Sequence, residues 1–238
     1  GAVPGTRNLA GGLSTSGALT AWLKDLTNAD YQTLLAEAEL SGAGARGLLT
    51  LPYFAGERTP ILDPDARGVI AGLTLSHTRG DLYRSALEAT ALGVRHNVET
   101  MRAAGADIRR IVAVGGGTQG ALWLQIVSDV TGLTQEVPRT TIGASYGVAF
   151  LAATAIADAG EAPVMRDWNP VAQTITPNAA VAAAGFTKAP NASCTSSLQP
   201  NRRPRHERAH PRHPAHLGAG RISTWRRRHG QRLARGPR

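Results

Sequence analysis

Apolar residues recur every three or four positions in several stretches of the chain, and this spacing predicts amphipathic helices. The clearest helix is predicted over Asp81–Ala104, where the repeat continues along the whole segment and Gly105 ends it. Four further helices are predicted by the same spacing, over Ser14–Leu26, Tyr31–Leu40, Ala121–Thr131 and Gly143–Ala159.

Short apolar runs bounded by glycine or proline predict strands between these helices. Arg110–Val114 runs directly into three glycines, and Thr134–Val137 stops at a proline. Gly47–Phe54 is interpreted as a buried strand, followed by a loop rich in proline and glycine over residues 55–76. Strands that alternate with helices in this way predict an α/β domain with a largely buried sheet.

Composition divides the chain into three regions. Residues 1–186 carry the helix and strand patterns, residues 187–201 are small and polar as in a linker, and residues 202–238 are rich in Arg, Pro, His and Gly. The last region holds 12 arginines and a single acid, Glu207, so it produces the whole formal net charge of +9. We expect this basic tail to be disordered, because it has too few large apolar side chains to offset the entropy of ordering.

Cellular location is addressed by three features of the sequence. Cys194 is the only cysteine, which excludes an intrachain disulfide and fits a reducing compartment. The first residues have neither a basic start nor an apolar core, so no secretory signal is recognised. The most apolar stretch, Gly143–Ala157, is shorter than the roughly 20 residues needed to span a bilayer. We therefore expect a cytoplasmic protein with no membrane partner.

The glycines Gly115, Gly116 and Gly117 are the first candidate for chemistry. They stand between a predicted strand and the helix that begins at Ala121. Glycine lets a ligand approach the backbone, and a helix N-terminus offers unpaired N–H groups, so the junction could bind a phosphate or hold a purine and ribose. On this local pattern alone, such a glycine run is more often only a tight turn. No Lys-Ser/Thr pair follows, which excludes a P-loop, and no suitably placed acid supports a Rossmann fingerprint.

A second candidate is the charged loop that follows the predicted strand Gly47–Phe54. The residues alone favour a structural role, in which four side chains form ion pairs of little individual value. These side chains are Glu57, Arg58, Asp63 and Arg67.

Together, these segments resemble the FGGY family of carbohydrate kinases, in particular its xylulokinase-type members. The resemblance covers about residues 8–185 in the family's order. Its motifs are Leu-Ala-Gly-Gly from Leu9, Leu-Pro-Tyr-x-x-Gly-Glu-Arg-Thr-Pro from Leu51, Asp-Pro-x-Ala-Arg-Gly from Asp63, Gly-Leu-Thr from Gly72, Gly-Gly-Gly-x-x-x-x-x-Trp-x-Gln-x-x-x-Asp from Gly115, and Ile-Gly-Ala-Ser-Tyr-Gly from Ile142.

The resemblance implies an actin-like ATPase, ribonuclease-H-like fold with two domains, of which this chain resembles the second. In the family, magnesium-ATP and a sugar meet between the domains, and the γ-phosphoryl group passes to a hydroxyl of a pentulose or related sugar. The expected cofactors are therefore ATP and Mg, and the expected partners are ATP or ADP and a sugar substrate.

The resemblance also assigns roles to individual residues. Four glycines match positions that lie against the nucleotide in the family: Gly17, Gly116, Gly117 and Gly120. At the last of these, some relatives carry an asparagine that bonds the adenine. Trp123, Gln125 and Asp129 are interpreted as scaffold, and Gly143 and Ala144 are expected to let the final helix pack tightly.

No catalytic residue and no metal ligand is predicted in this sequence. The family's phosphate-binding aspartate and glycine motif, its general-base aspartate and its Gly-Thr phosphate loop all precede the matched region. The chain by itself is therefore expected to be inactive without an N-terminal domain.

Other interpretations stay open from the sequence. The chain could be a free-standing nucleotide-binding module, or its arginine-rich tail could bind nucleic acid through phosphates. We do not favour nucleic acid, because Trp225 is the lone aromatic residue of the tail. Most residue types of the tail also have codons rich in G and C, which points to a tail produced by a reading-frame slip. A homodimer is also left open.

Overall fold

The computed structural model describes residues 8–157 and 161–184, without the side chains of residues 182–184. All of them belong to one unit, residues 1–191. The predicted linker and basic tail (residues 187–238) lie outside the described residues, as do the predicted helix end at Ala159 and its stop at Gly160.

Three helices form the first half of the structure. They are α1 (Gly17–Thr27), α2 (Tyr31–Ser41) and α3 (Arg79–Ala103). Local chemistry places their starts: the Asp30 carboxylate accepts from the Thr33 amide at 2.8 Å to cap α2, and Thr78 forms a capping box with Asp81 at the start of α3.

A short antiparallel pair joins α2 to α3. Strand β1 (Leu49–Leu51) pairs with β2 (Val69–Ala71). The predicted strand Gly47–Phe54 therefore shortens to three residues. The predicted loop over residues 55–76 contains a strand that the sequence analysis missed, because three residues without strict alternation give no local signal.

A mixed three-stranded sheet forms the second half. Strand β3 (Arg110–Val112) runs parallel to β4 (Thr134–Pro138), with helix α4 (Ala121–Thr131) as the crossover. Strand β5 (Val171–Ile175) adds antiparallel to the far side of β4. The bounds of α4 and of its stop at Gly132, which has a positive φ of 68°, confirm the sequence prediction.

Three further helices follow β4 along the chain: α5 (Ala144–Ile156), α6 (Met165–Trp168) and α7 (Ala179–Ala184). The sequence analysis missed α6, β5 and α7, which are short or weakly patterned.

The main core lies where α1, α2, α3 and α4 meet. It is formed by buried aliphatic residues and Tyr83, namely Leu19, Leu23, Leu34, Ala38, Tyr83, Ala86, Leu87, Ala91, Ile126, Val127 and Val130. A smaller cluster of Leu124, Val137 and Ile175 joins α4 to one face of the sheet. Gln135 is buried in the same layer and donates to the Ser128 hydroxyl at 2.9 Å.

Two packing predictions are wrong. The sheet is not largely buried, because β3 and β5 leave most of their side chains exposed or half-buried. Helix α5 does not pack tightly, since none of its residues is buried. A Cβ added at Gly143 would meet Val114 only at an ordinary 3.6 Å, and Ala144 is exposed. Among the described residues, only α4 covers the sheet extensively, and it covers one face.

Candidate functional site

Three glycines join β3 to α4, as the sequence analysis predicts. Gly115 has φ 89°, a left-handed conformation that favours glycine, and its amide donates to the Thr141 carbonyl at 2.7 Å. Gly116–Gln119 then form a single 3-10 turn, and Gly120 precedes the first residue of α4. The chain therefore turns twice within six residues, which brings Gly116, Gly117 and Gly120 together.

Thr118 closes this glycine junction. Its amide and its hydroxyl both donate to the Gly115 carbonyl, at 3.2 and 2.7 Å. The Gly115 carbonyl therefore accepts both hydrogen bonds from within the turn. By contrast, the amides of Gly116 and Gly117 stand at the start of the turn, where a helical turn offers its N–H groups no internal partner.

The space around each glycine differs. A Cβ at Gly116 would meet nothing within 4 Å in the described part of the chain. At Gly117 it would stand 3.0 Å from Nε1 of Trp123, and at Gly120 it would stand 3.5 Å from Cβ of Trp123. Trp123 therefore lies against Gly117 and Gly120, while Gly116 faces open space.

Gly17 is the fourth predicted nucleotide residue, and a different element, α1, carries it. It is the first residue of α1, is exposed, and has nothing within 4 Å of a Cβ position in the described residues. Helices α1 and α4 nevertheless share the main core.

The charged loop holds the segment that leads into α1. The Glu57 carboxylate accepts from the Ser14 amide at 3.0 Å and from the Arg58 amide at 2.7 Å. The Thr15 hydroxyl accepts from the Ala55 amide at 3.2 Å. These contacts fix the backbone three residues before Gly17, so Glu57 positions that end of α1. The sequence analysis missed this role, and no local signal distinguishes Glu57 from an exposed loop acid.

The predicted ion pairs of this loop are absent from the described residues. Asp63 exchanges two backbone hydrogen bonds with Glu57, both 2.8 Å long, and its side chain accepts from the Asp65 amide at 2.9 Å. Arg67 donates to backbone carbonyls, including that of Ala66 at 2.8 Å. Backbone groups therefore partner the Asp63 and Arg67 side chains, whereas the Oε2 atom of Glu57 is buried without a hydrogen bond in the described residues.

The scaffold roles of Gln125 and Asp129 follow from their contacts. Gln125 donates to Asp129 at 2.8 Å and to the Thr176 carbonyl at 3.0 Å. Asp129 also accepts from the Asn178 amide at 2.7 Å. Both side chains therefore connect α4 to the segment after β5.

A buried ion pair lies within α3, at residues that are not part of the glycine junction. Arg84 donates to Glu88 at 2.6 Å, and the same carboxylate oxygen accepts from the Gly44 amide at 2.8 Å. Burial raises the pKa of the Glu88 carboxyl above its ordinary value, and the bonds from Arg84 and Gly44 oppose that rise only in part.

Asp81 behaves in the opposite way at the start of α3. Burial alone would raise its pKa. Hydrogen bonds from Ser41 (2.6 Å) and from the Thr78 amide (2.7 Å) hold the pKa of Asp81 below its ordinary value, with help from the charge of Arg46.

Two searches of the described residues concern metals and membranes. No group of three or more His, Cys, Asp or Glu side chains there could hold a metal ion. No helix of residues 8–157 or 161–184 is long and apolar enough to cross a bilayer.

Comparison with known proteins places this geometry in context. The family model "FGGY family of carbohydrate kinases, C-terminal domain" matches residues 1–156. Xylulose kinase from Staphylococcus xylosus is 34% identical over 153 residues, which are 63% of this chain and 32% of that protein. Ribulokinase from Mycolicibacterium smegmatis is 37% identical over 130 residues, 55% of this chain and 23% of that protein.

Solved structures agree with these sequence matches. The crystal structure of xylulose kinase from Rhodospirillum rubrum is similar with a TM-score of 0.62 and 34% identity, over 72% of this chain and 35% of that chain. The structure of Plasmodium falciparum glycerol kinase with ADP has a TM-score of 0.60 at 23% identity, over 68% and 33% of the two chains, and shows the fold alone. The chain spans about a third of the length of the first relatives it matches, the xylulose kinases of the two staphylococci.

These similarities confirm the predicted fold class. The described residues have the α/β, actin-like ATPase and ribonuclease-H-like fold of the matched kinases.

Proposed function

Because this chain belongs to the FGGY family of carbohydrate kinases, through that family's C-terminal domain, we propose that it is the nucleotide-binding part of an ATP-dependent sugar kinase. The acceptor is a hydroxyl of a pentulose or related sugar, in keeping with the names of the xylulose kinases and the ribulokinase that the chain resembles. The residues that bind the sugar, and the remaining catalytic groups, belong to polypeptide that this chain does not contain. A cytoplasmic location stays a prediction.

The observation that carries the proposal is the open space at Gly116. Strand β3 ends at Val112, a turn closed by Thr118 follows, and no described atom other than those of the chain neighbours lies within 4 Å of a Cβ placed at Gly116. A flat adenosine can lie against such a backbone because no Cβ intervenes. Gly117 and Gly120 keep the turn close to Trp123, because a Cβ at either position would lie 3.0 or 3.5 Å from that residue.

The described residues fit the adenosine better than the phosphates or the metal. ATP supplies the phosphoryl group, and its charge has to be neutralised where transfer occurs. The glycine junction contains no charged side chain, and no described carboxylate cluster could hold magnesium. This part of the chain therefore binds and orients the nucleotide.

A titration with ADP tests the nucleotide assignment. We expect the chain to bind ADP with a Kd on the order of a millimolar, about −4 kcal/mol, since contacts to the phosphates are lacking. Gly116→Val is expected to weaken binding at least tenfold by filling the open space. Magnesium is expected to change the Kd little. Calorimetry or NMR shift mapping measures each Kd.

Gly147→Val is the matched control. Its Cβ also meets nothing within 4 Å, but Gly147 lies on α5 and not at the glycine junction. Unchanged binding is expected for this variant. If folded Gly116→Val binds ADP as tightly as the unmodified chain, the adenosine does not lie at the glycine junction.

A separate assay tests the inactivity of the isolated chain. We expect no phosphorylation of xylulose or ribulose above background when the chain is incubated with ATP and magnesium. The proposal fails if turnover is detected and Gly116→Val abolishes it, because the chain would then hold the complete catalytic machinery.

A further inference from the structure

Residues 11–15, which we call the strap, lead into α1 without forming a helix or a strand. The strap lies directly on α3. A Cβ at Gly93 of that helix would stand 2.8 Å from Cδ2 of Leu13, and a Cβ at Gly11 would overlap Oδ1 of Asn97. Glycine at positions 11 and 93 is therefore what lets the two segments approach this closely.

The loop that follows β1 holds the strap from a second side. The Glu57 carboxylate accepts from the Ser14 amide at 3.0 Å, and the Thr15 hydroxyl accepts from the Ala55 amide at 3.2 Å. Glu57 and Thr15 are each only 3% exposed, so bulk water does not compete for these bonds. Two consecutive residues are thus fixed immediately before α1.

Asn97 of α3 contacts the strap and the loop at the same time. Its side-chain nitrogen donates to the Thr59 carbonyl of the loop at 3.2 Å and to the Gly93 carbonyl of its own helix at 3.0 Å. Its oxygen lies against Gly11 of the strap. One buried side chain therefore sets the spacing of three segments.

The start of α1 depends on these contacts. Its N-cap residue, Ser16, makes no side-chain hydrogen bond to the helix, whereas Asp30 caps α2. The first residue that α1 places in the main core is Leu19, so the core fixes the body of the helix. The position of Gly17, two residues after Thr15, is left to the strap.

Two oxygens of this region are buried without a hydrogen-bond partner in the described residues. They are Oε2 of Glu57 and Oδ1 of Asn97. A buried acceptor without a partner loses the hydrogen bonds that water supplies in the unfolded chain, which destabilises the fold. Glu57 also has no ion pair in the part of the chain that the structure describes, unlike buried Glu88, which pairs with Arg84. Stability alone therefore does not account for polar side chains at these two positions.

We propose that Glu57 and Asn97 are positioning residues for the nucleotide, an inference that rests on the proposed function. Neither residue touches the nucleotide. They fix the strap, and the strap fixes Gly17, which has nothing within 4 Å of its Cβ position in the described residues. A displaced strap moves Gly17 away from a nucleotide that still contacts the glycine junction, and the affinity falls.

An ADP titration of the 238-residue chain, followed by NMR, tests this role. Glu57→Leu removes both carboxylate oxygens at a similar side-chain size. It is expected to weaken ADP binding at least fivefold and to abolish the ADP-induced shift of the Gly17 amide, while the Gly116 amide still shifts. Glu57→Gln keeps an acceptor for the Ser14 amide and is expected to bind ADP within twofold of the unmodified chain. A purely structural Glu57 would change the melting temperature of Glu57→Leu but not the Kd of the folded molecules.

Asp65→Leu is the matched control, because Asp65 is an exposed acid of the same loop whose amide bonds to Asp63 and not to the strap. It is expected to bind ADP as the unmodified chain does. Folded Glu57→Leu that binds ADP with an unchanged Kd overturns the positioning role. If Gly116→Val is weakened in the same series, only the positioning role fails. If Gly116→Val also binds unchanged, or the unmodified chain binds no ADP, the proposed function fails with it.

If Glu57→Leu does not fold, two milder variants decide. Thr15→Val removes the hydroxyl that accepts from the Ala55 amide, and Asn97→Leu removes the bond to Thr59. Each is expected to weaken ADP binding at least twofold. Thr15→Ser keeps the hydroxyl and is expected to bind as the unmodified chain does. An unchanged Kd for either folded variant, Thr15→Val or Asn97→Leu, overturns the proposal.

Discussion

Helices α3 and α5 are opposites in composition and in burial. Helix α3 carries seven charged residues, yet 13 of its 25 residues are buried, including Arg84 and Glu88. Helix α5 has no charged residue, and none of its 13 residues is buried. Hydrophobicity alone would predict the reverse. The number of neighbours that each helix finds in this chain explains the difference.

Several buried polar groups of α3 are compensated by specific partners. Glu88 bonds to Arg84 and to the Gly44 amide, Asp81 bonds to Ser41, and Ser85 bonds to Thr50 at 2.8 Å. Such groups tolerate burial only while these bonds persist. For α5, the described residues supply a neighbour on one side only. Within the described residues, α3 is therefore packed over much of its length, whereas α5 is not.

The largest effect is expected when a buried charge of α3 loses its ion-pair partner. Glu88→Ala leaves the Arg84 guanidinium buried without its partner, because the two side chains are only 7% and 6% exposed. We expect a loss of about 3–5 kcal/mol in the free energy of unfolding, measured by urea denaturation. Glu99→Ala removes an exposed partner of Arg95 on the same helix and is expected to change little. Similar losses for both variants would contradict the contrast.

An intermediate effect is expected when alanine replaces one glycine of each helix, because the space around the two glycines differs. A Cβ at Gly80 of α3 would lie 2.7–2.9 Å from Glu37 atoms of α2, whereas one at Gly147 of α5 would meet nothing within 4 Å. Gly80→Ala is expected to cost about 1–3 kcal/mol by overpacking. Gly147→Ala is expected to stabilise by about 0.5–1 kcal/mol, since alanine favours the helix. Thermal unfolding measures both, and a destabilised Gly147→Ala would show that α5 is packed after all.

The smallest expected effect is a pH dependence. Burial raises the folded-state pKa of Glu88 above 4.5, so its contribution to stability is full below pH 4.5 and is lost as pH rises through the folded value. The unfolding free energy of the unmodified chain should therefore fall relative to Glu88→Gln as pH rises from 4.5, by about 1.4 kcal/mol for each unit of pKa shift.

Asp81→Asn provides the opposite sign for that measurement. The folded-state pKa of Asp81 is lowered, so its contribution is present above 3.8 and is lost as pH falls through the folded value. Urea titrations at a series of pH values compare the two variants. An unmodified chain whose stability relative to Glu88→Gln rises with pH above 4.5 would contradict the buried-carboxylate interpretation.

The sequence by itself determined the elements whose signals are local. The bounds of α4 were predicted correctly because Gly120 and Gly132 flank a regular apolar repeat. The position of the glycine junction between strand and helix followed in the same way, and the order of motifs identified the family.

Only the tertiary structure decided which faces and which charges are buried. Nothing in the local pattern separates buried Glu57 or Glu88 from exposed Glu99, because their partners Ser14 and Gly44 come from distant parts of the chain. The pairing of β5 with β4 and the exposure of α5 likewise depend on contacts between segments far apart in sequence. Periodicity states which residues favour burial, but burial itself requires a neighbour, and only the folded arrangement supplies or withholds one.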